Sequence, residues 1–209
     1  MKSLIALSSG TLLCLATTSY GMITAYDTPA SYQAALDPMY WQHSEDFTSV
    51  ASYAQLPSFE LVDVALDVSI TGENGSVFTL PNNVYDGALA SYQSDSGLYL
   101  TVDDGLVYGM GFDVFLTDFT SAPITSLSPG VVYVDGMQVG VLNFNDPDTF
   151  FGFVSDTPVN SVFIDYNGVN FLTLDNINIA YTPVPEASTY AALAGLAALG
   201  LLGMRRRHA

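Results

Sequence analysis

The side chains best suited to chemistry in this chain are oxygen ligands. Asp103-Asp104, Asn143-x-Asn145-Asp146-x-Asp148 and Asp175-Asn176 each crowd carboxylates and amides into a few positions. Calcium takes about six to eight oxygens of this kind. Asp103, Asp104, Asn145, Asp146, Asp148, Asp175 and Asn176 are therefore the expected ligands of a calcium ion. The middle run lacks the glycine and the distant glutamate of an EF-hand loop, and each cluster alone also reads as a turn, since Asp and Asn bond their own backbone. A second chemistry is sugar stacking. Tyr26, Tyr32, Tyr40, Trp41 and Tyr53 crowd the N-terminal third, with Tyr40 and Trp41 the expected platform for a neutral glycan and core packing the competing use of such rings. Nucleophilic catalysis of the Ser-His-Asp kind needs a histidine, and between residues 22 and 182 there is only His43, which reads as a surface or half-buried side chain. Gly109-Met110-Gly111 lacks the third glycine and the helix of a phosphate loop, so it reads as a strand where backbones approach closely. Paired carboxylates across a cleft could hydrolyse a glycan, but Glu45, Glu60 and Glu73 sit in no motif that marks them for it.

Charge limits the partners. The four basic residues are Lys2, Arg205, Arg206 and Arg207, and of 21 acidic residues only Glu186 lies beyond residue 182. Residues 22–182 thus hold 20 carboxylates with no lysine or arginine to pair with them. Their mutual repulsion favours solubility and opposes compactness, and salt or bound divalent cations relieve it. Nucleic acid is excluded as a partner, because its binding rests on neutralising phosphates with Lys and Arg. Anionic polysaccharides and phosphate cofactors are disfavoured on the same ground. A neutral glycan, a cation or a second copy of the chain stays open.

The elements that must position these residues are strands. Asp27-Thr28-Pro29-Ala30 followed by Ser31 to Leu36 predicts one short helix, with a capping side chain and a proline in its first turn, ended by Asp37-Pro38. Val62, Val64, Leu66, Val68 and Ile70 alternate with polar or small residues, the period of a half-buried strand. Glu73-Asn74-Gly75 turns the chain into Ser76 to Leu80, and Pro81 to Gly87 reads as a loop. Further strands are expected over Leu98–Val102, Met110–Thr117, Phe150–Val154, Val162–Tyr166 and Phe171–Tyr181, with Ser155 to Pro158 as a turn. Asp135-Gly136 between two apolar runs signals a tight hairpin, because both turn residues must tolerate positive φ. About eight to ten strands with one helix predict an all-β fold, an antiparallel two-sheet sandwich of jelly-roll-like topology over residues 22–182.

The two ends read as addresses. Residues 1–21 combine Lys2, an apolar stretch and the small residues Ser19 and Gly21, the parts of a secretory signal peptide cleaved after Gly21. Cys14 falls inside that segment, so the exported body has no thiol and no disulfide. At the other end, residues 183–189 read Pro-Val-Pro-Glu-Ala-Ser-Thr, residues 187–204 are uncharged and about long enough for a transmembrane helix, and Arg205, Arg206 and Arg207 form a basic stop. Motif, span and stop in this order resemble the PEP-CTERM sorting signal of Gram-negative bacteria. Val184, Pro185 and Glu186 match the motif, and Ala187 stands where the family has a second proline. The resemblance covers about the last 27 residues (183–209). It implies delivery by the secretion machinery, transient anchoring in the inner membrane, processing by an exosortase and release to the outer surface of an exopolysaccharide-making cell. Gly109 to Asp113, Phe150 to Phe153 and Asp175-Asn176 also look like the body of many such proteins.

The sequence therefore predicts a non-catalytic, exported surface or matrix protein that binds neutral glycan or other matrix components, with calcium as possible support. A self-associating structural protein and a carboxylate-dependent hydrolase are the alternatives.

Overall fold

The computed structural model describes residues 21–48, 54–63, 66–80, 88–94, 96–104, 106–146 and 149–182, with Asp104 described by its backbone. Residues 1–20 of the signal segment, Asp148, and the sorting motif, span and basic stop that include Val184, Pro185, Glu186 and Arg205 to Arg207 lie outside them, as does the expected loop at 81–87. Among the described residues no helix is long and apolar enough to cross a membrane.

The strands are β1 (Ile23–Tyr26), β2 (Trp41–Glu45), β3 (Gln55–Leu56), β4 (Phe59–Asp63), β5 (Leu66–Gly72), β6 (Val77–Leu80), β7 (Ala88–Ser91) and β8 (Leu98–Asp104). They continue with β9 (Leu106–Thr117), β10 (Pro123–Ile124), β11 (Gly130–Val134), β12 (Met137–Leu142), β13 (Thr149–Val159), β14 (Ser161–Tyr166) and β15 (Phe171–Thr182), and α1 (Pro29–Ala35) is the helix. The pairings are antiparallel. A nine-stranded sheet runs β1-β13-β9-β15-β7-β6-β3, with β10 beside β9 and β2 beside β15. A six-stranded sheet runs β12-β11-β14-β8-β5-β4. Among the described residues the all-β, two-sheet architecture with one short helix is thus as expected.

The two sheets enclose one core. Met110, Phe112, Val114 and Leu116 of β9 and Leu172, Leu174, Ile177 and Ile179 of β15 face Val68, Ile70, Leu98, Leu100, Val162 and Ile164 of the other sheet. A strand presents alternate residues to one face, yet Leu174 and Ile177 are three apart. Asn176 takes φ 49° and the β15–β9 register shifts between Asp175 and Asn178, so a bulge restores inward pointing to both halves. Asparagine tolerates that left-handed conformation better than most residues.

Three local expectations need correction. The alternation from Val62 to Ile70 is two strands, since β4 folds back on β5 with Asp63 opposite Leu66, and Val62 points outward at 65% exposure. An unbroken period of two hides a hairpin that carries no Gly or Pro marker. Ser155 to Pro158 lies inside β13, where the register with β9 shifts between Val154 and Val159 instead of the chain turning. There are fifteen strands among the described residues, more than the eight to ten expected, because short pieces such as β3 and β10 leave too few residues to show a period.

Elsewhere the local chemistry behaves as read. Thr28 caps α1, its Oγ1 accepting from the Ser31 N–H at 3.2 Å. Asp135 and Gly136 take φ 48° and 78° between β11 and β12. The Asp135 carboxylate does more than turn: its Oδ1 accepts from the N–H groups of Asn160 (3.0 Å) and Ser161 (2.9 Å) and from the Ser161 hydroxyl (3.3 Å). Asp135→Ala removes these bonds and puts Ala at positive φ, and is expected to cost roughly 1–3 kcal/mol as read from the urea midpoint. Asp135→Asn, which keeps an acceptor oxygen, should lose less than half of that.

Candidate ligand-binding surface

Trp41 and His43 are alternate residues of β2, and their Cα partners are Tyr181 and Ile179 of β15. Both side chains therefore point to the inward side of the nine-stranded sheet. There β2 meets β4, an end strand of the other sheet. The Trp41 ring is 51% exposed and stands nearly perpendicular to Tyr181, with ring centroids 6.1 Å apart. The Tyr181 hydroxyl donates to Asp63 Oδ2 at 3.0 Å, and His43 Nδ1 lies 3.4 Å from the same oxygen. Burial, then the hydrogen bond and charge of Asp63, push the Tyr181 phenol up to about 12. It stays a neutral donor at any physiological pH. Three strands from distant parts of the chain thus fix one half-exposed indole.

His43 is the only side chain in residues 22–182 able to carry a positive charge, and it stands against a carboxylate. Its Nε2 is buried and takes no hydrogen bond among the described residues. In a Ser-His-Asp triad that nitrogen would meet the nucleophile's hydroxyl. The geometry instead ties the edges of the two sheets together.

The expected Tyr40–Trp41 platform is divided. Tyr40 lies in the bend just before β2, and Trp41 is the first residue of the strand. Tyr40 stacks on Tyr108 (5.1 Å between centroids, 13° between planes) in the cluster that contains Tyr32, Leu36 and Ala180, whereas Trp41 stands beside Tyr181. Tyr32 itself is core, 2% exposed.

The oxygen clusters are divided as well. Asp175 Oδ1 accepts from the Asn176 N–H at 2.7 Å and Asn176 donates to Asp113 Oδ2 at 2.8 Å, so this pair builds the β15 bulge. Asn145 and Asp146 are exposed in a turn whose Asn143 and Asp146 carbonyls accept from Thr149 Oγ1. Asp103 is different. Asp103 and Asp104 oppose the single residue Asp67, a bulge that brings Asp103 toward Asp67. One oxygen each from Glu60, Asp67 and Asp103 lies within 4.8 Å of the others, on the outer face of the six-stranded sheet. Sequence reasoning missed Glu60 and Asp67, because only strand pairing brings β4 and β5 beside β8. Their one visible signal is an acidic residue at an outward position of an alternating strand.

The same outer face carries an aromatic ladder. Tyr99, Phe163 and Tyr133 sit on adjacent strands, with Tyr99–Phe163 stacked at 4.1 Å and Tyr133–Phe163 at 6.1 Å. Their planes face one another, so they serve cross-strand packing more than display. Trp41 is the better stacking surface. The fold and the β2 edge define an antiparallel two-sheet protein with a half-exposed indole packed on Tyr181, whose hydroxyl is held by Asp63. No family model matches the chain, and no curated protein matches it significantly.

Proposed function

We propose that this is an exported, exosortase-processed protein of the cell surface or extracellular matrix that binds neutral glycan without catalysis. The observation that carries this reading is Trp41, the sole tryptophan, held half-exposed by Tyr181 in a body with no lysine or arginine. A pyranose ring offers C–H groups to an aromatic face, and the lack of cationic side chains disfavours anionic chains. Calcium belongs to the proposal, with Glu60, Asp67 and Asp103 as its ligands. Their converging oxygens suit a hard cation, and the exposure of Glu60 and Asp103 leaves room for water in the coordination shell. The jelly-roll-like topology is part of the same reading. Its support is the path of the chain, from β3 in one sheet to β4 and β5 in the other, back to β6 and β7, then across again to β8. So are the 187–204 transmembrane helix and cleavage near Val184-Pro185-Glu186, supported by the order of motif, span and stop.

The test is retention of the full chain, in mild detergent, on the host's neutral polysaccharide, with calcium and with chelator. Trp41→Ala is expected to weaken retention by roughly tenfold, the size of one lost stacking contact of about 1.4 kcal/mol. Chelation should lower both retention and the thermal midpoint at fixed ionic strength. No retention of the unaltered chain in either condition would leave the self-associating structural role, and release of reducing sugar would favour the hydrolase.

A further inference from the structure

At the end of β9 the chain reverses through residues 118–122 into β10, and this loop is unusually well fixed. Asp118 Oδ1 accepts from the Thr120 N–H (2.7 Å), the Thr120 hydroxyl (2.6 Å) and the Ala122 N–H (3.0 Å). The backbone closes on itself as well, Asp118 N–H to the Ala122 carbonyl and Ser121 N–H to the Asp118 carbonyl, both at 3.0 Å. Ser121 is held at φ 64° and is 6% exposed. The whole construction presents Phe119 to solvent at 88% exposure. A phenyl ring so exposed contributes nothing to the core, yet the loop that carries it is rigid.

Beside it lies a cavity of about 170 Å³ lined by Phe78, Tyr92, Phe119 and Phe171 and by Asp118 and Ser121. Pockets for drug-sized ligands hold roughly 300–1,000 Å³, so this one suits a single ring. The hydroxyl of Ser91, also at the cavity, already bonds the Leu172 N–H and the Gln93 carbonyl, and that of Thr117 bonds Thr173. The bonds to the Asp118 carboxylate all fall on Oδ1, which leaves Oδ2 as an acceptor. Those bonds also hold its pKa below the usual carboxylate range, so it is ionised at neutral pH. Aromatic side chains around a one-ring space and a fixed carboxylate acceptor match a sugar's two recognition features, its C–H face and its hydroxyl donors. A carboxylate without a cationic neighbour repels uronic acids.

We propose that this cavity is a second glycan subsite, taking one neutral pyranose unit at the end of a chain, with Phe119 stacking on the ring and Asp118 accepting from its hydroxyls. The proposal rests on the glycan-binding reading and is separable from it. The full chain is titrated with methyl glucoside, methyl galactoside, methyl mannoside and glucuronate, followed by saturation-transfer NMR, for the unaltered protein and for Phe119→Ala, Ala90→Leu and Trp41→Ala. Phe119→Ala removes an exposed ring and should fold normally; Ala90 also lines the cavity, and Ala90→Leu fills it. The expected result is transfer to at least one neutral glycoside that persists in Trp41→Ala and is weakened tenfold or more when either pocket variant is added to Trp41→Ala, and none to glucuronate. If the chain is retained on neutral polysaccharide while no transfer persists in Trp41→Ala, or while neither pocket variant weakens the transfer that persists there, or if glucuronate binds equally, the pocket proposal is overturned and the glycan reading stands. If the unaltered chain neither is retained nor shows transfer, both fall.

Discussion

Tyr32→Ala is expected to lower stability by about 3–5 kcal/mol, the cost of removing a fully buried aromatic ring. In a domain of this size that is a fall in Tm of roughly 6–20 °C. Tyr32 is the buried residue of α1, and its ring lies on a floor of glycines from two adjacent strands. A Cβ at Gly111 would meet Tyr32 Cε1 at 2.8 Å and Phe150 Cζ at 2.9 Å, and one at Gly152 would meet Tyr32 and Phe150 at 3.0 Å. Gly111 and Gly152 are directly paired across β9 and β13, so the floor is continuous. Gly111→Ala should therefore cost about 1–3 kcal/mol by overpacking, although alanine is otherwise the better strand residue. The sharper result is the double variant. With the Tyr32 ring gone, only the partly exposed Phe150 ring remains to give way, and Gly111→Ala should turn nearly neutral. A thermodynamic cycle from urea melts reads the coupling, and additive losses would refute the packing account.

The second large effect is loss of stability in alkali. Tyr32 is pushed well above the ordinary phenol range by burial, and Tyr181 to about 12 by burial and by Asp63. An unfolded tyrosine titrates near about 10. The folded state therefore holds these protons more tightly. The stability this confers is complete below about pH 10 and is lost as pH rises through the folded values. Residues 22–182 contain no lysine, arginine or cysteine, so tyrosine is the one side-chain type there that titrates in this range. Tyr40 is also raised, by burial first and then by the charge of Asp37, but less markedly than Tyr32 and Tyr181. Urea midpoints should stay level from about pH 8 to 10 and fall steeply toward 12. Tyr32→Phe combined with Tyr181→Phe should flatten that fall at the cost of the two hydroxyl bonds. An equally steep decline in the double variant would assign the loss to something other than these phenols.

What could be read from the sequence was what neighbours decide. The cap at Thr28, the proline that opens α1 and the Asp135-Gly136 turn depend on contacts within a few residues, and their residue types announce them. The glycine pair Gly109 and Gly111 could be read as a place of close approach, but not as the seat of Tyr32, because that ring arrives from about 80 residues away. Site chemistry suffered most. His43 looked solitary since Asp63 and Tyr181 reach it only through the meeting of sheet edges, and Asp103 looked like a partner of Asp104 when the bulge turns it toward Asp67. Asp175-Asn176 looked like a ligand pair; the three-residue step from Leu174 to Ile177 was the visible sign that it is a bulge.

Without lysine or arginine, the carboxylates turn to the backbone. Asp37, Glu45, Asp46, Glu73, Asp118 and Asp135 each accept from main-chain N–H groups, the four other than Glu73 and Asp135 from the residue two along. Hydrogen bonds from the Thr48 and Thr120 hydroxyls, and then from backbone N–H groups, keep Asp46 and Asp118 ionised to lower pH than a free carboxylate.

Among the described residues β1 and β2 are held by β13 and β15. Ile23 lies opposite Ser155, and Trp41 lies opposite Tyr181. Hairpins such as β4–β5, β6–β7 and β11–β12 join neighbours in the chain, whereas these two pairings join segments about 130 to 140 residues apart. Closing so long a stretch is costly in entropy and slow. The nine-stranded sheet is therefore expected to take in β1 and β2 last, so that the earliest strands in the sequence are the latest to find their places.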